Sequence, residues 1–314
     1  MNPAFSIIIP HRDCPDLLQR CLDSIPVRED IQIIVVDDNS NPAVVDFNHF
    51  PGQDRDDIKI VLTKEGKGAG YARNVGIELA KGKWFLFLDA DDFLLPSITE
   101  VFEQEINTEE DVVFYRPKFV FSDDLDMTSA RGEIVYNHYI DEYFETGNEL
   151  ELRTRWHTPW SKIIKGSLVL EKNIRFEEIQ YSNDVMFSAL VGCEAERIVA
   201  RDNSFYSVTK RKGSLTSDFC QKEGELATRI SAIFRLQDTI KSHGFPIDEE
   251  LVFRYMQRLF GANRNLFKEY FRVLMKHFGL SRGYLIDGIF ETNRLPSRIK
   301  RKAYTYILTS FLFL

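Results

Sequence analysis

Nine residues, Trp84–Asp92 (WFLFLDADD), constrain this chain more than any other stretch. Trp84–Leu88 is an unbroken apolar run, which needs cover on both faces, as a central strand of a parallel sheet has. The run ends at Asp89, Asp91 and Asp92, so the carboxylates fall where the strand leaves the sheet. Open α/β sheets bind ligands at the carboxyl ends of their strands. Carboxylates crowded together repel, and a divalent cation is the usual way to offset that repulsion. The plainer reading is a solvated acidic turn, and two upstream segments weigh against it.

The first is SIIIP, Ser6–Pro10, followed by a helix-like run with Leu17, Leu18, Cys21, Leu22 and Ile25 on one face, Pro15 in its first turn and Asp13 placed to cap it. The second is IQIIVVDDNS, Ile31–Ser40, another apolar strand ending in aspartates. A strand-like Ile58–Leu62 comes next, then a glycine-rich turn and a helix-like Gly70–Gly82. Strand, helix, strand, strand, helix, strand is the alternation of a mostly parallel α/β sheet flanked by helices. Pro10, the Asp37/Asp38 pair and the Asp89/Asp91 pair would then emerge at one rim.

The chain has 314 residues, room for one large domain and an appendage. Its net charge of −8 argues against a nucleic-acid partner, which calls for a basic balance. Cys14, Cys21, Cys193 and Cys220 form no CxxC pair and read as buried thiols of a reducing compartment. No basic segment precedes the first apolar run, so no signal peptide is evident. The stretch GKGAGYARNVG, Gly66–Gly76, is not a Walker loop, because no Lys–Ser/Thr pair follows the glycines. It is not a dinucleotide fingerprint either, because Tyr71 stands where the third glycine belongs.

SIIIPHRD, VVDDNS, GAGYARNVG and FLDADD, in that order within the first 92 residues, resemble the family 2 glycosyltransferases of the GT-A fold. Weaker matches follow in TPWSKIIKGSLV (Thr158–Val169), YSNDVMF (Tyr181–Phe187) and YSVTKRKGSLTS (Tyr206–Ser217). The resemblance implies a GT-A, Rossmann-like domain over residues 1–220 and leaves 221–314 as a helical C-terminal appendage. It also implies an inverting, metal-dependent glycosyltransferase with a nucleotide-sugar donor, UDP-sugar foremost, and a saccharide or lipid-linked acceptor in bacterial surface polysaccharide synthesis. A cytoplasmic protein, peripheral at the inner face of the membrane, is the matching expectation. Two alternatives are a non-catalytic nucleotide-sugar-binding relative and a sugar-phosphate nucleotidyltransferase. The latter needs a glycine-rich, basic N-terminal loop that SIIIPHRDCP lacks.

The family's residue roles carry over by position. Asp38 corresponds to the aspartate that accepts uracil N3–H, a donor cytosine lacks; Asp37, Pro10 and Arg12 line the same pocket. His11-Arg12 stands where many relatives have Tyr-Asn, and capping of a turn is the other reading of Asp38. Asp89 and Asp91 correspond to the DxD pair, Asp89 toward the ribose and Asp91 toward Mn²⁺ or Mg²⁺, whose preference is for hard oxygen ligands. Ala90 lies between them, and Asp92 would assist through bound water. Arg73 and Asn74 belong to the nucleotide-contacting helix start, Arg73 toward the diphosphate; alternatively Gly68 and Gly70 serve only close packing.

Asp184 corresponds to the catalytic base, with Asn183 where relatives carry glutamate; an N-cap role for Asp184 is compatible with it. Trp156 and Trp160 are either the sugar floor or core, and His157 is a packed or surface histidine. Lys210-Arg211-Lys212 is either a cationic loop closing over the diphosphate or a solvated loop.

Ser122–Leu150 is acidic and weakly patterned, a loop with a short helix. Gly224–His243 and Glu249–Phe278 read as two long amphipathic helices. Arg298–Lys302 and the twelve residues after it are too short an apolar run to span a bilayer but suit an anionic membrane surface; docking on protein is the other reading.

Overall fold

The computed structural model describes residues 3–211 and 224–290. In chain order the strands are β1 (Phe5–His11), β2 (Ile31–Asp38), β3 (Ile58–Thr63), β4 (Trp84–Phe87), β5 (Phe93–Leu94), β6 (Val112–Phe121), β7 (Asp124–Thr128), β8 (Lys162–Lys165) and β9 (Ile198–Lys210). The helices are α1 (Pro15–Asp23), α2 (Ala69–Leu79), α3 (Ile98–Glu105), α4 (Ala130–Thr146), α5 (Leu150–Thr154), α6 (Gly166–Glu171), α7 (Val185–Glu194), α8 (Glu225–Ser242), α9 (Glu249–Ala262), α10 (Arg264–Lys276) and α11 (Arg282–Phe290).

One sheet runs β3-β2-β1-β4-β8-β6-β9-β5, with β7 paired to β6. The four strands legible as an alternation are parallel, with Ile7 opposite Ile33 on one side and Leu86 on the other. Past β4 the sheet is mixed: β8 is antiparallel to β4 and β6, while β9 runs parallel to β6. Every residue of β1 and β4 is buried, the state that the apolar runs Ile7–Pro10 and Trp84–Phe87 within them require. The edge strand β3 instead mixes half-buried positions with the exposed Lys59 and Leu62.

Helix α1 begins at Pro15 as expected, but Asp13 does not cap it. Asp13 sits at φ 54° and its carboxylate accepts the Asn41 N–H at 2.7 Å, tying the β1 exit to the β2 exit. The reading of Ser122–Leu150 as a loop with a short helix is corrected in extent: the segment holds β7 and the 17-residue helix α4, closed by Gly147 in the left-handed conformation. Tyr136, Tyr139, Ile140 and Tyr143 form a helical stripe inside the acidic composition, and Tyr136 packs on Phe119, Trp156 and Trp160. Glu249–Phe278 is likewise two helices, not one. Asn263 turns the chain and caps α10 by accepting the Leu266 N–H at 3.0 Å.

One apolar cluster covers the sheet and a second joins α7 to the C-terminal helices. Helix α7 faces both: Phe187 and Val191 enter the sheet core, Val185 and Ala189 the helical one. Among the described residues, no helix is long and apolar enough to cross a membrane. Cys14, Cys21 and Cys193 are free thiols, with Cys21 buried and the other two half-buried. Cys220, the loop beyond Arg211 and the 298–314 tail lie outside the described residues.

Candidate functional site

The carboxyl ends of β1, β2 and β4 meet at one rim, because parallel strands in register exit together. Pro10, opposite Val36, lies beyond the stretch of β1 paired with β4, where a missing N–H costs no ladder bond. Asp37 is turned inward: its carboxylate accepts from His11 Nδ1 at 2.8 Å, from the Ser40 hydroxyl at 2.5 Å and from the Ser40 N–H at 3.0 Å. Burial opposes a charge on His11, but the Asp37 hydrogen bond and the Cys14 contact outweigh it and push its pKa up to about 9. Burial likewise disfavours the Asp37 charge, yet His11 and Ser40 hold its pKa below the ordinary value. Asp37 therefore staples two strand exits.

Asp38 faces the glycine turn. One carboxylate oxygen accepts the Lys67 N–H at 3.1 Å and the other the Gly68 N–H at 2.6 Å. Gly68 needs its φ of 97° to present that N–H, which an L side chain would resist. Arg12, half exposed, brings Nη1 to 3.8 Å from Asp38.

The turn after β4 is held from several sides. The Asp92 N–H donates to the Asp89 carbonyl at 2.9 Å, and Arg20 of α1 and Thr209 of β9 donate to the Asp91 carbonyl at 2.6 and 2.5 Å. Asp92 points away from the rim: it is buried and accepts the Tyr206 hydroxyl at 2.8 Å and the Thr209 N–H at 2.7 Å. Its expected part through bound water is thus replaced by an anchor. Burial, then the charges of Asp91 and Asp89, raise its pKa well above the ordinary value. Asp89 and Asp91 remain partly open at the rim, and Ala90 between them is buried. Asp89 is gripped by Arg73 at 2.5 Å and Asp91 by Arg211 at 3.2 Å. Burial and then Asp89 raise the Asp91 pKa, with Arg211 opposing. Among the described residues, no three His, Cys, Asp or Glu side chains converge as metal ligands. The open pair supplies hard carboxylate oxygens whose mutual repulsion a cation would relieve, so its chemistry fits Mg²⁺ or Mn²⁺.

Across from this turn, Asp184 stands at the N-cap position of α7 without making a capping hydrogen bond. Burial raises its pKa, Arg73 works against the rise and Asp89 adds to it. Asn183 beside it accepts from Arg73 Nη1 at 3.0 Å. The Asn74 side chain donates to the Phe176 carbonyl at 3.0 Å and accepts the Phe176 N–H at 2.8 Å, tying α2 to the segment before α7.

Trp156 and Trp160 are both core residues. Trp160 stacks on Tyr206, centroids 5.8 Å apart, directly behind the Asp92 anchor. His157 donates to the Thr154 carbonyl at 2.9 Å, and burial lowers its pKa to about 4. Four contributors were not singled out from the sequence, although Tyr206, Thr209 and Lys162 lie within its weaker matching segments. Arg20 reads as one more polar residue beside an apolar stripe, Tyr206 and Thr209 as ordinary strand residues. Lys162, 1% exposed, donates to the Trp156 carbonyl at 3.1 Å beneath the aromatic wall.

Known proteins resemble this chain in sequence and in fold. The chain is 28% identical over 220 residues to the poly(ribitol-phosphate) beta-glucosyltransferase of Bacillus spizizenii, 66% of this chain and 32% of that protein. It is 23% identical over 279 residues to glycosyltransferase GlyA of Streptococcus pneumoniae serotype 4, 84% of this chain and 38% of that protein. The chain thus spans about a third of the length of these relatives. Among solved structures, S. aureus TarS 1–349 in complex with UDP-GlcNAc superposes with a TM-score of 0.62 at 19% identity, covering 94% of this chain and 82% of that one. The mannosyltransferase PcManGT of Pyrobaculum calidifontis, in complex with GDP-Man and Mn²⁺, gives 0.51 at 15% identity over 99% of this chain and 88% of that one. The GT-A fold with its helical appendage is therefore the fold of this protein. The family model described as Glycosyl transferase family 2 matches residues 6–164, about half the chain and every rim residue from Pro10 to Asp91, and the chain belongs to that family.

Proposed function

We propose that this protein transfers a sugar from a nucleotide-sugar, UDP-sugar foremost, to a hydroxyl of a saccharide or lipid-linked acceptor, inverting the anomeric centre, in the assembly of a bacterial surface polysaccharide. The observation that carries this is the buried Arg73, which grips Asp89 at 2.5 Å and donates to Asn183, the neighbour of Asp184, at 3.0 Å. One guanidinium thus holds a donor-side carboxylate and the residue beside a second carboxylate.

Asp184 takes the proton of the acceptor hydroxyl while that oxygen bonds to the anomeric carbon. The bond from that carbon to the diphosphate oxygen breaks, and the diphosphate leaves with the electron pair. Attack from the face opposite the leaving group inverts the configuration. Burial makes Asp184 a stronger base than a solvated aspartate, as proton abstraction requires. Asp38 would accept uracil N3–H with the lone pairs its two turn contacts leave, and Arg12 would flank the ribose. Asp89 and Asp91 would hold Mn²⁺ or Mg²⁺, which when bound neutralises charge on the leaving diphosphate. Arg211 opposite Asp91 would then be released to the diphosphate.

The relatives' names support the polysaccharide setting, and the UDP-GlcNAc bound to TarS supports uridine over the guanosine of PcManGT. Retention of Asp184 favours catalysis over a binding-only role. Thermal shift with UDP, GDP, CMP and dTDP, with and without Mn²⁺, tests the reading. A ligand at a hundred times its Kd adds about 2.7 kcal/mol. Mn²⁺-dependent stabilisation by UDP is expected; stabilisation by GDP alone would move the donor class, and no response to any nucleotide would remove the assignment.

A further inference from the structure

The Arg73 guanidinium spans the two halves of the site. Nη2 donates to Asp89 at 2.5 Å, Nη1 donates to Asn183 at 3.0 Å, and the group lies over the Phe176 ring with 5.2 Å to its centroid. Arg73 is 5% exposed, so solvent screens these contacts little. The chain around it is equally tied. Asn74, the next residue, clasps the Phe176 backbone through both ends of its amide. A Cβ on Gly70 would lie 2.2 Å from the Glu177 carbonyl oxygen, so α2 and residue 177 meet backbone to backbone. The Glu177 N–H donates to the Asn183 carbonyl at 3.1 Å, closing the turn that carries Asp184. The Glu177 carboxylate in turn takes two hydrogen bonds from Arg235 of α8, at 2.8 and 3.0 Å. The base-bearing turn therefore hangs between α2 and α8, and Arg73 connects it to the aspartates after β4.

Resting on the function proposed above, we propose that Arg73 is a positioning residue that couples Asp89 on the donor side to the turn at Asn183–Asp184, so that a donor held at Asp89 orders the base. Asn183 suits this role because it accepts the Arg73 hydrogen bond without a charge of its own. A carboxylate at 183 would compete with Asp89 and Asp184 for the same guanidinium. A link of this kind acts in both directions: what orders the turn at 183 also strengthens the hold on the donor.

The test titrates UDP with Mn²⁺ into the protein and into Asn183→Ala, Arg73→Lys and the double variant. Asn183 touches no donor group in this scheme, yet Asn183→Ala is expected to weaken UDP about three- to tenfold. The double variant should lose little more than Arg73→Lys alone. Unchanged UDP affinity in a folded Asn183→Ala, or strictly additive losses, overturns the coupling. Amide hydrogen exchange asks the same question without ligand: Asp89→Asn should speed exchange across residues 177–186 several-fold. Unchanged exchange there overturns the coupling whatever the protein binds. Faster exchange in a protein that binds no UDP upholds the coupling and removes only the donor assignment.

Discussion

Asp38 accepts the Gly68 N–H at 2.6 Å while its other oxygen accepts the Lys67 N–H at 3.1 Å, so the end of β2 holds the glycine turn that opens α2. The carboxylate assigned to the nucleotide is thus also the anchor of the turn beside it. Asp38→Asn places an amide NH₂ against one of those N–H donors. A buried donor left without an acceptor costs about 1–3 kcal/mol. Denaturant unfolding should register that loss, and UDP affinity should fall as well; an unaltered unfolding midpoint would show that the turn does not depend on Asp38.

Gly70 admits the Glu177 carbonyl where a Cβ would sit 2.2 Å from its oxygen. Gly70→Ala must push α2 away from the wall carrying residues 176–183. A loss on the order of 2 kcal/mol or more is expected from such overpacking, with transfer activity falling further than stability because Arg73 and Asp184 shift relative to each other. The same alanine at Gly261, where nothing crowds a Cβ, should be tolerated and serves as control.

Asp184→Asn should lower turnover roughly 10²–10⁴-fold, the usual contribution of a general base, and leave UDP affinity within about twofold. The acidic limb of the wild-type rate should sit above the ordinary aspartate pKa, because burial raises that of Asp184. Activity falls as pH drops through this value, since the base must be ionised. A rate flat down to pH 4 would contradict the assignment.

The His11–Asp37 pair predicts an alkaline loss of stability. His11 titrates at about 9 in the fold against 6.5 unfolded, so its contribution is complete below pH 6.5 and disappears as pH rises through about 9. The shift corresponds to about 3 kcal/mol at most. The lowered pKa of Asp37 acts in the opposite window, its share being lost as pH falls below the ordinary carboxylate range. In a Tm-versus-pH series, His11→Gln should remove the alkaline slope near pH 9. An unchanged slope would assign it to other groups.

The parallel half of the fold was legible because Ile7–Pro10, Ile33–Val36 and Trp84–Leu88 are apolar without interruption. Only strands covered on both faces tolerate that, and the aspartates after the second and third runs mark where they stop. Helix α4 was not legible. Its buried side is made of tyrosines and one isoleucine spread among acidic and polar residues, and only Phe119, Trp156 and Trp160 from distant segments turn that stripe into a face. The break at Asn263 escaped for a related reason. Apolar periodicity continues across it, and its signal is a single capping side chain.

The order of motifs along the chain determined the family, the rim and the carboxylates worth naming. It did so because strand length, apolar continuity and strand-end charge are local properties that parallel pairing converts directly into position. Which way each carboxylate turns was decided by tertiary structure. Asp37 and Asp38 are adjacent, as are Asp91 and Asp92, yet Asp37 turns to His11 and Asp38 to the glycine turn, while Asp92 turns to Tyr206 and Asp91 stays partly open at the rim. Successive side chains leave a strand on opposite faces, as Asp37 and Asp38 do at the end of β2, the turn after β4 separates Asp91 from Asp92, and the partners that meet each carboxylate come from residues far away in sequence. Arg73 carries the same lesson. Its partners Asp89 and Asn183 lie 16 and 110 residues downstream, and only the packed sheet brings them to one guanidinium.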